Sequence, residues 1–352
     1  MVDKPPDELL GSSTAPDLGV IGAGSWGTAL AILLAGNLPH VRLWGWQRGE
    51  MEQMARARSN PLYLPGIRFP DALRIEPDLD RLVEASEAFL IVLPSHAFRS
   101  GLSQLRNSLL SAGRDPREVV IVWGTKGFEP ESGQLLSEVL TDVMGRNARY
   151  AAISGPSFAG EVARGLPTAL TAASPDSDIA EQVAGWFRTP STRIYTSNDV
   201  IGVQLGGAIK NVIAIATGIS DGLGFGANAR AALITRGLAE LTRLGKALGG
   251  RAETFMGLTG VGDLVLTCTD DQSRNRRVGL GIGAGHALEE VLTDLGQEAE
   301  GVNTARELYR KSSELAVEMP ITTEVYRVLH QGRDPKQAVQ ALLAREPKAE
   351  DV

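Results

Sequence analysis

The chain has 352 residues, 43% of them hydrophobic and 22% charged, with a formal net charge of -7. That length exceeds what one hydrophobic core usually supports, so two domains are expected, and the composition is that of an ordinary globular protein. The acidic balance argues against a nucleic-acid binder, which needs a broad basic face. The single cysteine, Cys268, excludes an internal disulfide and a CxxC metal site, and it fits a reducing cytoplasm.

Met1 to Asp17 contains Pro5, Pro6 and Pro16 and has no basic stretch followed by an apolar run. It is expected to be a disordered leader, not a signal peptide. Short apolar runs then follow at Leu18–Ile21, Val41–Trp44, Ala88–Leu93, Val119–Trp123 and Tyr150–Ile153. Helical patterns alternate with them at Trp26–Gly36, Gly49–Ala57, Ala97–Leu110 and Ser132–Met144. Near-continuous apolar strands alternating with helices predict a parallel sheet covered on both faces. Two further strands, Thr168–Ala172 and Arg193–Thr196, are expected around a helix near Ile179–Phe187.

From Val200 onward the periodicity is helical: Val200–Ser220, Ala227–Leu248, Arg276–Gly285, Ala287–Leu295, Thr304–Leu315, Thr322–Leu329 and Pro335–Leu343. Val200–Ser220 is weakly charged but glycine-rich and interrupted by Lys210, so it reads as a buried helix and not a membrane span. The expected fold is an α/β Rossmann-type doubly wound sheet over 18–198, followed by an all-α domain over 199–345 and a tail over 346–352. A crevice lies between the two domains.

Gly22-Ala23-Gly24-Ser25-Trp26-Gly27 matches GxGxxG between a strand and a helix, the context that dinucleotide binding requires. Gly22 serves the tight turn, Gly24 the approach of the pyrophosphate, and Gly27 the packing of helix on strand. The amides of Ser25 and Trp26 open the helix toward phosphate. The second strand runs into Trp44-Gly45-Trp46-Gln47-Arg48, with no acid before Glu50 to accept from a ribose 2′-hydroxyl. Arg48 can pair a 2′-phosphate instead or simply lie in solvent, so NADP(H) is favoured or at least tolerated beside NAD(H).

Ligands bind outside the carboxyl ends of such strands. The third strand ends at Leu93-Pro94-Ser95-His96, where His96 reads as an orienting residue. The fourth ends at Thr125-Lys126-Gly127. Lys126 is either a cation reaching a phosphate or carbonyl, or a surface lysine. Ser154-Gly155-Pro156-Ser157-Phe158-Ala159 is a small-residue turn that can offer amides to a ligand or be a plain turn. Lys210 is the one charge between Asp199 and Asp221, with Asn211 beside it. A lysine in so apolar a helix needs a partner or a function, and desolvation suits it to proton transfer near neutral pH. Glycines 206 and 207 allow a backbone or the cofactor to come close. Asp263 is either a lysine's partner or a helix cap. Ser273-Arg274-Asn275-Arg276-Arg277 reads as an anion clamp at a helix start, and Cys268 as packing.

The segments GAGSWGTALA, LPSHAF, WGTKGFE, SGPSFAGE, GVQLGGAIKNVIAIATGISDGLGFGANARAALITRGLAE and GVGDLVLTCTDDQSRNRR together resemble the bacterial NAD(P)-dependent glycerol-3-phosphate dehydrogenase family, from about Leu18 to about Leu343. The resemblance implies reduction of dihydroxyacetone phosphate, with Lys210 as general acid/base at the C2 oxygen and Lys126 touching substrate and cofactor. It implies that Gly155 and Ser157 line the substrate site, Ala159 the cofactor site, and that Asp263 and Thr267 support Lys210. Ser273, Arg274 and Asn275 would hold the substrate phosphate, with Arg274 and Glu300 also near the cofactor. The chain departs from the family in reading Gln297-Glu298-Ala299-Glu300 where small apolar residues are common, and Trp46 stands at a variable position. A homodimer and a supply of product to phospholipid synthesis are further implications. The alternatives are a related two-domain hydroxy-acid or sugar-acid dehydrogenase and a non-enzymatic dinucleotide sensor.

Overall fold

The computed structural model describes residues 15–130 and 132–346. The expected tail beyond Glu346 and the leader up to Thr14 lie outside the described residues. Ten strands are present among the described residues: β1 (Leu18–Ile21), β2 (Val41–Trp44), β3 (Ser59–Asn60), β4 (Leu64–Arg68), β5 (Leu73–Ile75), β6 (Ala88–Ile91), β7 (Val120–Trp123), β8 (Arg149–Ser154), β9 (Thr168–Ala173) and β10 (Thr192–Ser197). Eight of them form one sheet in the order β10-β9-β8-β7-β6-β1-β2-β5, and β3 and β4 pair separately.

The sheet departs from the expected all-parallel pattern at one place. β8 and β9 are antiparallel, with Ile153 opposite Ala172. The segment joining them holds just the five-residue helix Ala159–Ala163. That is too short to carry the chain back along the sheet, so the next strand returns in the opposite direction. The small β3–β4 hairpin, the edge strand β5 and the helix Leu79–Glu84 had no counterpart in the sequence pattern. Their residues are short, polar or proline-flanked, so they carry no run long enough to show a period.

Side chains alternate across the sheet, as strand geometry demands. Val20, Leu90 and Val122 join the core on one face, with helix Ser25–Ala35. Ile21, Ile91 and Trp123 join the core on the other face, with helices Phe98–Ser111 and Leu136–Met144. Covering both faces explains why these strands read as unbroken apolar runs.

The sheet ends at Ser197, and helices follow from Val200. Asp199 opens the long helix Val200–Gly222: its Oδ1 accepts from Gly202 N at 2.8 Å, and its Oδ2 from the Thr254 hydroxyl at 2.6 Å. The helix is long and apolar enough to cross a membrane, yet 94% of its apolar stretch is buried inside the protein. The other helices wrap it, burying Leu205, Ile209, Val212, Ile213 and Ile215. At about 1.5–3 kcal/mol for each large aliphatic side chain taken from water, this helix anchors the second core. Helix Arg274–Gly283 packs on it at backbone contact. A methyl group on Gly218 would lie 2.9 Å from Gly279 Cα, and one on Gly283 2.9 Å from Gly222 Cα. Glycines four apart on both helices thus set their spacing.

Candidate active site

The carboxyl end of β8 packs against the buried helix Val200–Gly222, and the loop after β7 reaches the same helix through the Lys126 stem at Gly207. At the end of β1, Gly22 has φ +122°, and a methyl group there would strike Val92 O at 2.3 Å. Gly27 packs as closely, 1.9 Å from Gly22 O by the same measure, whereas Gly24 faces open space. The loop is thus tight where helix meets strand and open where a phosphate would approach the amides of Ser25 and Trp26, which begin helix Ser25–Ala35. Asn60 braces this loop from the β3–β4 hairpin. Its buried Nδ2 donates to Ala23 O and to Thr28 Oγ1, both at 2.9 Å. The sequence does not single out Asn60, because nothing in its spacing links it to the glycine loop.

The centre of the site is a buried carboxylate shared by two lysines. Asp263 is fully buried at the start of helix Asp263–Thr269. Its Oδ1 accepts from Lys210 Nζ at 2.5 Å, and its Oδ2 from Lys126 Nζ at 3.0 Å. Lys210 Nζ also donates to the Thr267 hydroxyl at 3.0 Å, one helical turn beyond Asp263. Two ammoniums against one carboxylate leave the cluster with a net positive charge. Burial, opposed by Asp263 and reinforced by Lys126, pushes Lys210 from its ordinary 10.5 down to about 7. The backbone that brings Asp263 here is the turn Leu258–Gly262, which crosses the long helix at Gly206, where a methyl group would meet Thr259 O at 2.1 Å. That close approach is the role the paired glycines suggested. At Gly207 the near neighbours are the Ser154 hydroxyl and the Lys126 stem.

Lys126 reaches Asp263 from the end of β7. Its ammonium lies 5.9 Å from the Trp26 ring centroid, within cation–π range. The Thr125 hydroxyl donates to Leu93 O at 2.8 Å, locking this loop to the one that carries Pro94. After β8, Gly155 has φ +142°, the Ser157 hydroxyl donates to Gly155 O at 3.0 Å, and Ala159 begins its short helix.

The anion turn is in part what the sequence suggested. Ser273 is buried and caps helix Arg274–Gly283, accepting from Arg276 N at 3.2 Å. Asn275 accepts from Gly301 N at 2.9 Å through Oδ1, which turns its amide nitrogen to the other side. Gly301 fits there because a methyl group would lie 2.7 Å from Asn275 Oδ1 and 2.8 Å from Asn211 O. Arg274 makes no ion pair among the described residues, so its guanidinium is uncommitted. Arg276 is different: it is buried and bonded to Asp221, Asp271 and Cys268 O, so it does not serve the anion clamp. Arg277 is exposed beside Gly281 and His286. The clamp of three arginines therefore reduces to Arg274.

Glu300 starts helix Glu300–Glu314 at this site. Burial first, and Glu298 after it, push its carboxyl up to about 7, while Arg274, Lys126 and Lys210 pull it down. Glu298 itself faces His96 Nδ1 at 3.4 Å. Asn211 is buried, with only a 3.5 Å contact from its Nδ2 to Gly207 O. Trp46 is exposed past the end of β2, and among the described residues Arg48 pairs with Glu52 alone, at 3.2 Å, with 79% of its side chain exposed. Cys268 is buried and its thiol is pushed up to about 12, chiefly by burial, which leaves it a packing residue. No group of three or more His, Cys, Asp or Glu suited to a metal occurs among the described residues.

A dinucleotide loop on a doubly wound sheet, facing a buried lysine on an all-α partner, defines a nicotinamide-dependent oxidoreductase of two parts. The chain belongs to the NAD-dependent glycerol-3-phosphate dehydrogenase family: residues 17–180 match its N-terminal region and residues 199–340 its C-terminal region. It is 56% identical over 335 residues to the glycerol-3-phosphate dehydrogenase (NAD(P)+) of Thioalkalivibrio sulfidiphilus, covering 95% of this chain and 99% of that one. It is 51% identical to the enzyme of the same name from Vibrio parahaemolyticus, over 94% of each chain. The crystal structure of glycerol-3-phosphate dehydrogenase from Coxiella burnetii superposes with a TM-score of 0.90 at 44% identity, covering 94% of this chain and all of that one.

Proposed function

We propose that the chain reduces dihydroxyacetone phosphate to sn-glycerol 3-phosphate, reversibly, with NADPH or NADH. The observation that carries the chemistry is the Lys210–Asp263–Lys126 cluster. Lys210, poised at about 7, gives a proton to the C2 oxygen as charge develops there. Lys126, hydrogen-bonded to the other oxygen of Asp263, presents a second donor to that oxygen, and the dry cluster favours the developing anion. Asp263 and Thr267 hold the Lys210 ammonium in place, and Asn211, Gly155 and Ser157 shape the pocket around the carbonyl. Ser273, Arg274 and Asn275 bind the phosphate and so fix C2 against the cofactor.

The residues fit a dinucleotide. The open face at Gly24 and the helix start at Ser25 and Trp26 suit a pyrophosphate, with Pro94, Lys126, Ala159, Arg274 and Glu300 around the remainder of the cofactor. When bound, the cofactor supplies the hydride to C2. Arg48, held only by one exposed pair, is free to meet a 2′-phosphate, and NADP(H) is favoured on that ground. The same proposal includes a homodimer, a cytoplasmic setting and product use in glycerophospholipid synthesis. The test is loss of reduced-nicotinamide absorbance with dihydroxyacetone phosphate, for the native protein and Lys210→Ala. Turnover lost in the variant with cofactor binding kept supports the assignment. Absence of native turnover with either cofactor overturns it, and turnover that survives in the variant moves the proton to Lys126.

A further inference from the structure

Arg276 was expected to join the anion clamp, and the structure instead buries it beneath the clamp. Its Nη1 donates to Asp221 Oδ2 at 2.5 Å and to Cys268 O at 3.3 Å, and its Nε to Asp271 Oδ1 at 2.9 Å. Each acceptor belongs to a different part of the site. Asp221 ends the helix that carries Lys210, Cys268 lies in the helix that carries Asp263 and Thr267, and Asp271 lies in the turn that leads to Ser273. Arg276 itself sits in the first turn of the helix that carries Arg274 and Asn275. Asp221 Oδ2 also accepts from Arg230 at 2.7 Å, which ties in a further helix.

We infer that Arg276 is a positioning residue for substrate: it sets the separation between the phosphate-binding turn and the Lys210–Asp263 pair without touching either ligand. The fork geometry of guanidinium is what permits this, because one planar group reaches acceptors on three segments. Lysine offers a point charge and cannot span them. The inference rests on the proposed use of a phosphorylated carbonyl substrate.

A loss of this anchor displaces the phosphate site relative to the proton donor. It leaves the cofactor loop at Gly22–Gly27, on the other side of the site, as it is. The experiment compares native protein, Arg276→Gln, Arg276→Lys and Arg277→Ala, each with dihydroxyacetone phosphate and with unphosphorylated dihydroxyacetone, and measures NADPH binding separately. In Arg276→Gln, kcat/KM for the phosphorylated substrate is expected to fall about 100-fold, through kcat as well as KM, as for a misplacement of about 1 Å. Activity on dihydroxyacetone stays unchanged, and NADPH affinity, which draws on this turn through Arg274 alone, changes far less than KM for the phosphorylated substrate. Arg276→Lys recovers a part of the loss, and Arg277→Ala matches native. Should Arg276→Gln not fold, Asp221→Asn loosens the same anchor and is expected to give the same selective loss to a smaller degree. Equal loss on both substrates, or a native ratio between them, overturns the inference. Failure of the native protein to reduce dihydroxyacetone phosphate strikes the functional proposal instead.

Discussion

Replacing Asp263 by asparagine keeps the shape of the cluster and removes its one negative charge. The native carboxylate lies 2.5 Å from Lys210 Nζ. With an effective dielectric constant of about 20, a unit pair at that distance attracts by about 6–7 kcal/mol, an upper bound that water and the Thr267 hydroxyl will reduce. If a third to a half of it is lost, the Lys210 pKa falls by roughly two units, at about 1.4 kcal/mol per unit. Lys210 begins at about 7, so its protonated fraction at neutral pH drops from about half to about one hundredth. Ketone reduction needs that proton, and kcat at pH 7 should fall by about 50-fold from this cause alone. Misorientation of the freed ammonium adds to it. The assay is the pH profile of reduction in native and Asp263→Asn protein, with NADPH binding as a control. The native rate should decline as pH rises through about 7, and the variant's decline should move to lower pH, with activity partly recovered on acidification. A variant whose profile still breaks near the native pH, with kcat within a few-fold of native, would refute the claim that Asp263 keeps this proton on Lys210.

The remaining expectations concern other parts of the molecule. Gly279→Ala places a methyl group 2.1 Å from Ile215 O, so it should destabilise by about 1–3 kcal/mol or more and raise KM for the phosphorylated substrate, as thermal melts and kinetics will show. Arg48→Ala should weaken NADPH about 10- to 100-fold, the worth of a charge-assisted phosphate contact, and leave NADH unchanged; equal effects on both cofactors would rule out a 2′-phosphate role. Asn60→Ala removes the brace on Ala23 O and should weaken both cofactors in titration while KM for substrate holds. Glu240 is buried, capping helix Pro320–Gln331 by accepting from Ile321 N and Thr322 N, and burial raises it from 4.5 to about 6. A raised carboxyl binds its proton more tightly when folded, so its contribution is present below pH 4.5 and lost as pH rises through about 6, by about 2 kcal/mol. The fall in Tm over that window should be missing in Glu240→Gln.

The sheet was legible because burial on both faces writes itself into the sequence as apolar runs, and β1, β2, β6 and β7 were located to within two residues. Lys210 was legible for the same reason: a charge in the midst of an apolar helix must be accounted for locally. Partnerships across long separations were legible only as an open choice for Asp263, between a lysine's partner and a helix cap, and through the family resemblance that paired it and Thr267 with Lys210; its sharing by Lys126 was not read. Asp263 lies 53 residues from Lys210 and 137 from Lys126, and no local period links them. Arg276 shows the failure most clearly. From the sequence it is one of several arginines at a helix start, and a helix start presents some residues to the ligand and turns others inward. Which is which depends on where Asp221 and Cys268 O lie, and that depends on the glycine contacts between two helices. The antiparallel turn of β9 was hidden similarly, since strand direction is set by the length of the connecting helix and leaves no mark on the strand itself.

The pairing of two lysines with one carboxylate also bears on why an acidic chain binds a doubly charged anion. With a net charge of -7, the protein as a whole repels a phosphorylated substrate at long range, so attraction must be local. The cluster contributes one uncompensated positive charge and Arg274 another, both inside a cleft where water screens them poorly. Glu300, with its pKa near 7, is the nearby group that can cancel one of them when ionised. Binding of the anion therefore favours the protonated form of Glu300 and of Lys210 together, since each protonation adds positive charge beside the phosphate. On the roles proposed for these residues, the substrate recruits the proton that Lys210 then delivers, and the affinity for phosphate should weaken as pH rises through about 7, even where the cofactor is already bound.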